Sequence, residues 1–551
     1  MNPIVTRALC ALTWLLASCG GGSGPATTPV PTPIPTPVPT PTPTPVPAPP
    51  LPDVGTVIQA DPGSTLPETW RQGAVMQIFV RSYQDSDGDG SGDLRGLISR
   101  LDYLKALGIS GLWLMPVTRS QDGDHGYAVA NYRDIEAAYG SLADLDELLR
   151  QAHARGIGVV LDYVINHSAA QHPAFVQARD NPTGPYRNWF IWQNPAPAGW
   201  TVFGANPWRS SPGGAYYAPF WDQMPDWNLR SPETLAVHHD NLRFWLNRGV
   251  DGFRFDAVGM LVENGASAWE NQPENHALMR GVAGLLDAYA KRFLVCESST
   301  ASQAFAESCG RAFAFDLNGA LIRAAQGDSA AIARIANYPS SARIASLLSN
   351  HDAFAGERPF DQLGGDPAAL KLAASLNLLR EGTPFIYYGE EIGMGGGVGL
   401  SGDPRLRSPM SWTSEPVSAG FSSRTPYRAL AANAATHNVA TQSADPSSLL
   451  NHYRALLALR NAHSALLLGR QEQAQALGSS LVFWRVKDAE RVLVLHNLGR
   501  SAATASVAGA TPGAKLQALL PAGGGEFQAD AQGTLRLTLP GQSLLVLKER
   551  P

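Results

Sequence analysis

Between residues 74 and 391, apolar runs of strand length recur between helical patterns. Eight can be counted: Ala74–Val80, Gly111–Pro116, Gly158–Val164, Gly252–Ala257, Phe293–Ser298, Ala312–Leu317, Ala345–Asn350 and Phe385–Glu391. A strand that is apolar along its whole length needs cover on both faces, which parallel sheets receive from helices. The connectors carry those helices. Leu94, Leu97, Ile98, Leu101, Leu104 and Leu107 share one helical face that Gly108 ends. Ser141 opens another helix, with Asp144 three residues on, a stripe of Leu145, Leu148, Leu149 and Ala152, and a stop at Gly156. Eight such units predict an α/β fold, a (β/α)8 TIM barrel over residues 53–167 and 230–465.

Two stretches break the rhythm. Residues 168–229 are long, irregular and aromatic, and hold six of the 13 tryptophans: Trp189, Trp192, Trp200, Trp208, Trp221 and Trp227. They read as an inserted domain B after the third strand, with most of these rings serving as core. Beyond residue 466 the pattern becomes alternation, as in Ser480–Val486, Arg491–Leu495, Thr534–Leu539 and Ser543–Leu547. This predicts a C-terminal antiparallel β-sandwich domain over residues 466–551.

The start of the chain reads as targeting. Arg7 precedes the apolar stretch Ala8–Leu16, which is too short to span a bilayer, so residues 1–18 are expected to be a secretion signal. Leu16-Ala17-Ser18-Cys19-Gly20 resembles the lipobox of bacterial lipoproteins, which implies lipidation at Cys19 and an outer-membrane anchor. In Pro25–Pro52, 14 of 28 residues are proline. Such a tract is expected to adopt extended polyproline II, at ~3.1 Å per residue a tether of up to ~90 Å. With Cys10 in the signal and Cys19 lipidated, Cys296 and Cys309 remain, either paired or two buried thiols.

Composition excludes other classes. With 44% apolar and 16% charged residues the chain is not disordered. A net charge of −5, without clustered Lys and Arg, gives no nucleic-acid footprint. No dimerisation signal stands out, so a monomer is the default.

In a barrel of this kind the chemistry sits at the C-terminal ends of the strands. The third strand ends in Asp162-Tyr163-Val164-Ile165-Asn166-His167, the fourth reads Gly252-Phe253-Arg254-Phe255-Asp256-Ala257, the fifth ends at Glu297, and the seventh in Ser349-Asn350-His351-Asp352. Carboxylates converging on one mouth are costly unless paired or working. In this order and at these strand ends, the four segments resemble the α-amylase family, glycoside hydrolase family 13. Gly108–Pro116, Gln223-Met224-Pro225-Asp226-Trp227-Asn228 and Thr383–Glu391 agree. The match covers roughly residues 70–550.

The resemblance implies a retaining mechanism. Asp256 is then the nucleophile, Glu297 the acid and base, and Asp352 the group that holds sugar hydroxyls and stabilises the oxocarbenium-like state, with the two reacting carboxyls ~5–5.5 Å apart. Arg254, two residues before Asp256, points to the same side and keeps it ionised. His167 and His351 would bond the same sugar, Tyr127 would stack on it, and His125 would either contact it or be structural. Asp162 is expected to support rather than react. Arg407 matches a residue that, in related α-glucosidases, pairs with an acid at the position of Asp124 and admits only chain ends.

Asp85-Ser86-Asp87-Gly88-Asp89-Gly90-Ser91-Gly92-Asp93 sets alternate carboxylates in a glycine-rich turn, hard oxygens of the kind calcium takes. It resembles the first-loop calcium site of many family 13 enzymes. That implies a structural Ca2+ held by Asp85, Asp87, Asp89, Asp93 and the Ser91 carbonyl, the alternative being a solvated turn with Asp93 capping the next helix. The family's other common calcium site uses the position of Asn166 and a histidine where this chain has Met260, after Gly259 in place of a basic residue, so this chain departs from that pattern.

Ala257 after the nucleophile goes, in the subgroup resembled, with α-1,4 links. The expected activity is endo-acting hydrolysis of α-1,4-glucosidic bonds in starch, glycogen or maltooligosaccharides. The alternatives are an exo-acting α-glucosidase or transglycosylase, or a non-catalytic carbohydrate-binding protein, which the three carboxylates oppose.

Overall fold

The computed structural model describes residues 51, 53–122 and 125–550. The signal, Cys19, most of the proline tract and Asp124 lie outside the described residues. Eight parallel strands close a barrel: β1 (Val75–Ile78), β2 (Gly111–Leu114), β3 (Gly158–Tyr163), β4 (Gly252–Phe255), β5 (Phe293–Cys296), β6 (Ala312–Phe313), β7 (Ile344–Ser346) and β8 (Thr383–Tyr387). They neighbour one another in chain order, and β8 closes on β1. Each overlaps an expected run, though β7 starts one residue before its run and β8 two residues before. The exception in extent is the sixth, which stops at Phe313 because Phe315–Ala325 is a helix. A short apolar run cannot by periodicity be told from a buried helix.

Side chains alternate across a strand, so every second residue points into the barrel. Trp70, Val75, Trp113, Val160, Phe293, Val295, Phe313 and Phe385 fill the interior as one packed cluster. The same alternation continued upward puts Gln77 above Val75, Asp162 above Val160, and Glu297 above Val295. Gly158 has a steric reason: a Cβ there would lie 2.5 Å from the Trp70 ring.

The helix expected over residues 94–107 is two, α1 (Leu94–Ser99) and α2 (Leu101–Leu107). Arg100 leaves helical geometry between them, and its guanidinium bonds Gln84 Oε1 and lies over Trp412. Gly108 ends α2 in the left-handed conformation. Ser141 and Asp144 form a complete capping box on α3 (Leu142–Ala154).

The insertion carries a helix, Pro173–Asp180, and an antiparallel sheet of Trp192–Gln193, Gly214–Tyr217 and Trp208–Ser211. Most of its tryptophans are buried or half-buried; Trp221 is exposed. The C-terminal region is a six-stranded antiparallel sheet facing the pair Ala503–Val507 and Leu535–Leu539 across a shared apolar core. Cys296 and Cys309 form a disulfide that joins the end of β5 to the helix Ser302–Cys309. Among the described residues no helix is long and apolar enough to cross a membrane.

Candidate active site

The strand ends surround a cavity of about 690 Å3 lined by Asp256, Glu297, Asp352, His125, Tyr127, His167 and Arg407. Two cavities of similar volume lie elsewhere, but each carries a single carboxylate, Glu263 or Asp146. Of these three cavities among the described residues, the barrel mouth is the one that brings several together.

Arg254 organises them. Its Nη1 lies 2.7 Å from Asp162 Oδ1 and 2.9 Å from Asp256 Oδ1, and its Nη2 lies 2.7 Å from Glu297 Oε2. The guanidinium is wholly buried, beneath the cavity floor rather than on its wall. Three buried carboxyls around one cation cannot all ionise cheaply, so one keeps its proton. Burial pushes Glu297 up to about 7, opposed by Arg254 and helped by the Asp256 charge and a hydrogen bond shared with Asp256. Burial also raises Asp256, to about 6, against Arg254 and that same hydrogen bond, both of which favour its anion. The proton therefore rests on Glu297 and the charge on Asp256.

Ala257 sits in the left-handed region at φ 47°, a costly conformation for a residue with a Cβ. It turns the chain so that its N–H donates to Glu297 Oε2 at 3.2 Å. The strain is spent where two reactive side chains meet.

Asp352 closes the other side. Arg407 Nη2 donates to its Oδ1 at 3.0 Å, and His351 Nε2 lies 3.2 Å from its Oδ2. Burial pushes Asp352 up to about 7 despite Arg407, with Glu297 and Asp403 adding to the rise. Arg407 also reaches Asp403, at 3.2 Å, and its Nε donates to the His351 carbonyl.

His351 is placed differently from expectation. It is fully buried behind the wall, its ring stacked on Tyr127 and its Nδ1 bonded to Gln77. Tyr127 donates its hydroxyl hydrogen to Asp162 Oδ2 at 3.0 Å, which leaves Asp162 between Tyr127 and Arg254. His167 lines the cavity with its Nε2 lacking a hydrogen-bond partner among the described residues, and burial lowers its pKa to about 3, leaving it neutral. His125 accepts from the Tyr127 N–H through Nδ1.

Two contributors went unread in the sequence. Gln77 is a polar residue inside an apolar strand, a signal that was available. Asp122 accepts from the N–H groups of His125, Gly126 and Ala128 and so shapes the loop that carries His125 and Tyr127. Burial raises its pKa, but His125 and these hydrogen bonds outweigh that and hold it down at about 2.

In the acidic turn, oxygens of Asp85, Asp87 and Asp89 lie within 4.8 Å of one another. Asp85 is buried; burial raises its pKa, but hydrogen bonds from Ser422, Gly88, Gly90 and Asp87 leave it below the usual carboxylate value. Three hard oxygens at this spacing fit a divalent cation. Asp93, expected as a ligand, stands outside that cluster: its carboxylate caps α1 through Gly96 N and accepts from Ser86 N and Oγ. Ser91 lies on the same turn, its N–H donating to Asp89 Oδ1. Asn166 donates to Asp226 Oδ2.

The profile of the α-amylase catalytic domain matches residues 77–469. The chain is 34% identical over 449 residues to alpha-amylase 3 of Dictyoglomus thermophilum, covering 79% of this chain and 86% of that one. It is 32% identical over 502 residues to the trehalose synthase/amylase TreS of Mycobacterium tuberculosis, covering 78% and 82%. Among solved structures, an alpha-amylase from H. orenii superposes with a TM-score of 0.74 at 31% identity, over 87% of this chain and all of that one. An alpha-glucosyl transfer enzyme, XgtA, does so with a TM-score of 0.75 at 29% identity, over 88% and 99%.

Proposed function

Because the chain belongs to the α-amylase family, glycoside hydrolase family 13, we propose that it cleaves α-1,4-glucosidic bonds within starch-like glucans by double displacement. The observation that carries this is the single Arg254 guanidinium between two carboxyls of unequal proton affinity. Ionised Asp256 attacks the anomeric carbon while Glu297 gives its proton to the leaving oxygen. The same Glu297 then takes a proton from water as the ester to Asp256 breaks. Asp352, held by Arg407, binds ring hydroxyls, and Tyr127 offers its ring to the sugar.

Ala257 supports the α-1,4 preference. Buried Arg407 beside Asp352 and Asp403 favours a second reading, an exo-acting or glucosyl-transferring enzyme, in keeping with the trehalose synthase and glucosyl transfer relatives. Product lengths from maltoheptaose and soluble starch separate the two. Early mixed maltooligosaccharides with rapid loss of iodine staining support endo cleavage; glucose alone, with staining slow to fall, overturns it. Asp256→Asn is the control, expected to lose activity by ~10^4-fold.

Asp85, Asp87 and Asp89 would hold a structural Ca2+, which would tie the loop after β1 to the segment of Ser422. The Cys19 lipobox and proline tract support a membrane-tethered enzyme; Cys19→Ala should move it from the membrane fraction to the soluble one.

A further inference from the structure

Every exposed phenylalanine and tryptophan among the described residues lines one cavity. Phe203, Phe220, Trp221 and Phe354 are 40–63% exposed, and all four face the catalytic mouth. Large apolar rings left in water at one place mark a binding surface.

Phe203 is the most exposed of them, at 63%. Val202 and Ala205 exchange both backbone hydrogen bonds, so Phe203-Gly204 is a two-residue turn. Both residues have positive φ, 50° and 79°. This turn type favours Asn, Asp or Gly at the first position, and a bulky ring there is strained. The backbone thus carries a cost to present an aromatic ring to solvent. Phe203 packs against Phe220 at 5.5 Å and Trp269 at 5.7 Å between centroids.

The wall has a definite side. Trp269 precedes Glu270, whose Oε1 accepts from Ser299 Oγ and Thr300 Oγ1, on the loop that follows Glu297. Glu297 faces the leaving oxygen, so this wall borders the departing sugar. The same rim carries Gly259 and Met260, which offer no polar side chain.

Resting on the α-glucan reading above, we propose that Phe203, braced by Phe220 and Trp269, is a stacking platform for the sugar units on the leaving side of the scissile bond. It sets a preference for longer glucans. A pyranose presents an apolar face to such a ring, and recognition by stacking needs no hydrogen-bond partner at residues 259 and 260.

The test compares maltoheptaose with 4-nitrophenyl α-maltoside, which lacks sugars on the leaving side, in wild-type enzyme and Phe203→Asn. Asn suits the turn, so the variant should fold. An aromatic contact of ~0.5–1.5 kcal/mol corresponds to a loss of about three- to tenfold. The expected result is that loss in kcat/KM for maltoheptaose, with less than about twofold change for the maltoside. An equal loss on both substrates, or none on either, overturns the proposal. If the wild-type enzyme cleaves neither substrate, the α-glucan reading itself fails, and this inference with it.

Discussion

Gln77 Nε2 donates to His351 Nδ1 at 2.7 Å, although the two residues stand on β1 and just past β7. An amide nitrogen can only donate, so Nδ1 must accept and the ring hydrogen sits on Nε2. That hydrogen faces Tyr127 Oη at 2.7 Å and Asp352 Oδ2 at 3.2 Å. One buried glutamine therefore sets the direction of a chain of hydrogen bonds running to Asp352 and Asp162.

Removing that donor should misalign the wall without unfolding the barrel. Gln77→Leu is expected to lower kcat about 10- to 100-fold, as loss of a supporting partner does. Its unfolding free energy should fall by only about 1–3 kcal/mol for the unpaired nitrogen. Steady-state kinetics alongside urea denaturation check both.

The pH profile should be a narrow bell. Cleavage needs Asp256 ionised and Glu297 protonated. Activity falls below about pH 6 as Asp256 gains a proton, and above about pH 7 as Glu297 loses one. These limbs belong to the interacting pair. Measuring kcat/KM from pH 4 to 9 tests this; a flat plateau from 5 to 8 would contradict it.

Arg254→Met removes the shared cation. Asp256 should hold its proton more tightly, moving the acid limb upward, and stability at neutral pH should fall by about 3–5 kcal/mol. With carboxyl pKa values raised in the fold, the folded state binds more protons than the unfolded one. The deficit should therefore grow from pH 5 to pH 8. Thermal melts at both pH values give the sign.

Chelation should destabilise rather than inhibit. A cation at a hundred times its Kd contributes about 2.7 kcal/mol. EDTA is expected to lower Tm, calcium to restore it, and Asp87→Asn to remove the dependence while kcat stays within about twofold. Asp87 is exposed and lies outside the catalytic cavity.

The disulfide should be worth about 3 kcal/mol, given the 13-residue separation of Cys296 and Cys309. A Cys296→Ala, Cys309→Ala variant should show the shift in denaturant midpoint and be insensitive to dithiothreitol.

The barrel was legible because strands and helices have different periods, and a strand period of two leaves no choice about which residues face inward once one is known. That is why Arg254 could be set on the same side as Asp256 at the end of one strand, while Glu297, at the end of the next, joined them through the family resemblance. The insertion and the C-terminal β region were legible for the same reason, as breaks in a rhythm. What the sequence could not carry was decided by distance. Gln77 meets His351 across 274 positions and Tyr127 meets Asp162 across 35, and only closure of the barrel brings them together. Asp93 turned from the acidic cluster to a helix cap because backbone N–H groups of its own turn competed for its oxygens. Cys296 and Cys309 joined because the helix after β5 folds back on it. Local pattern determined the elements and the faces they bury; contacts between distant elements decided the partners, because hydrogen bonds and charges respond to ångströms and not to position along the chain.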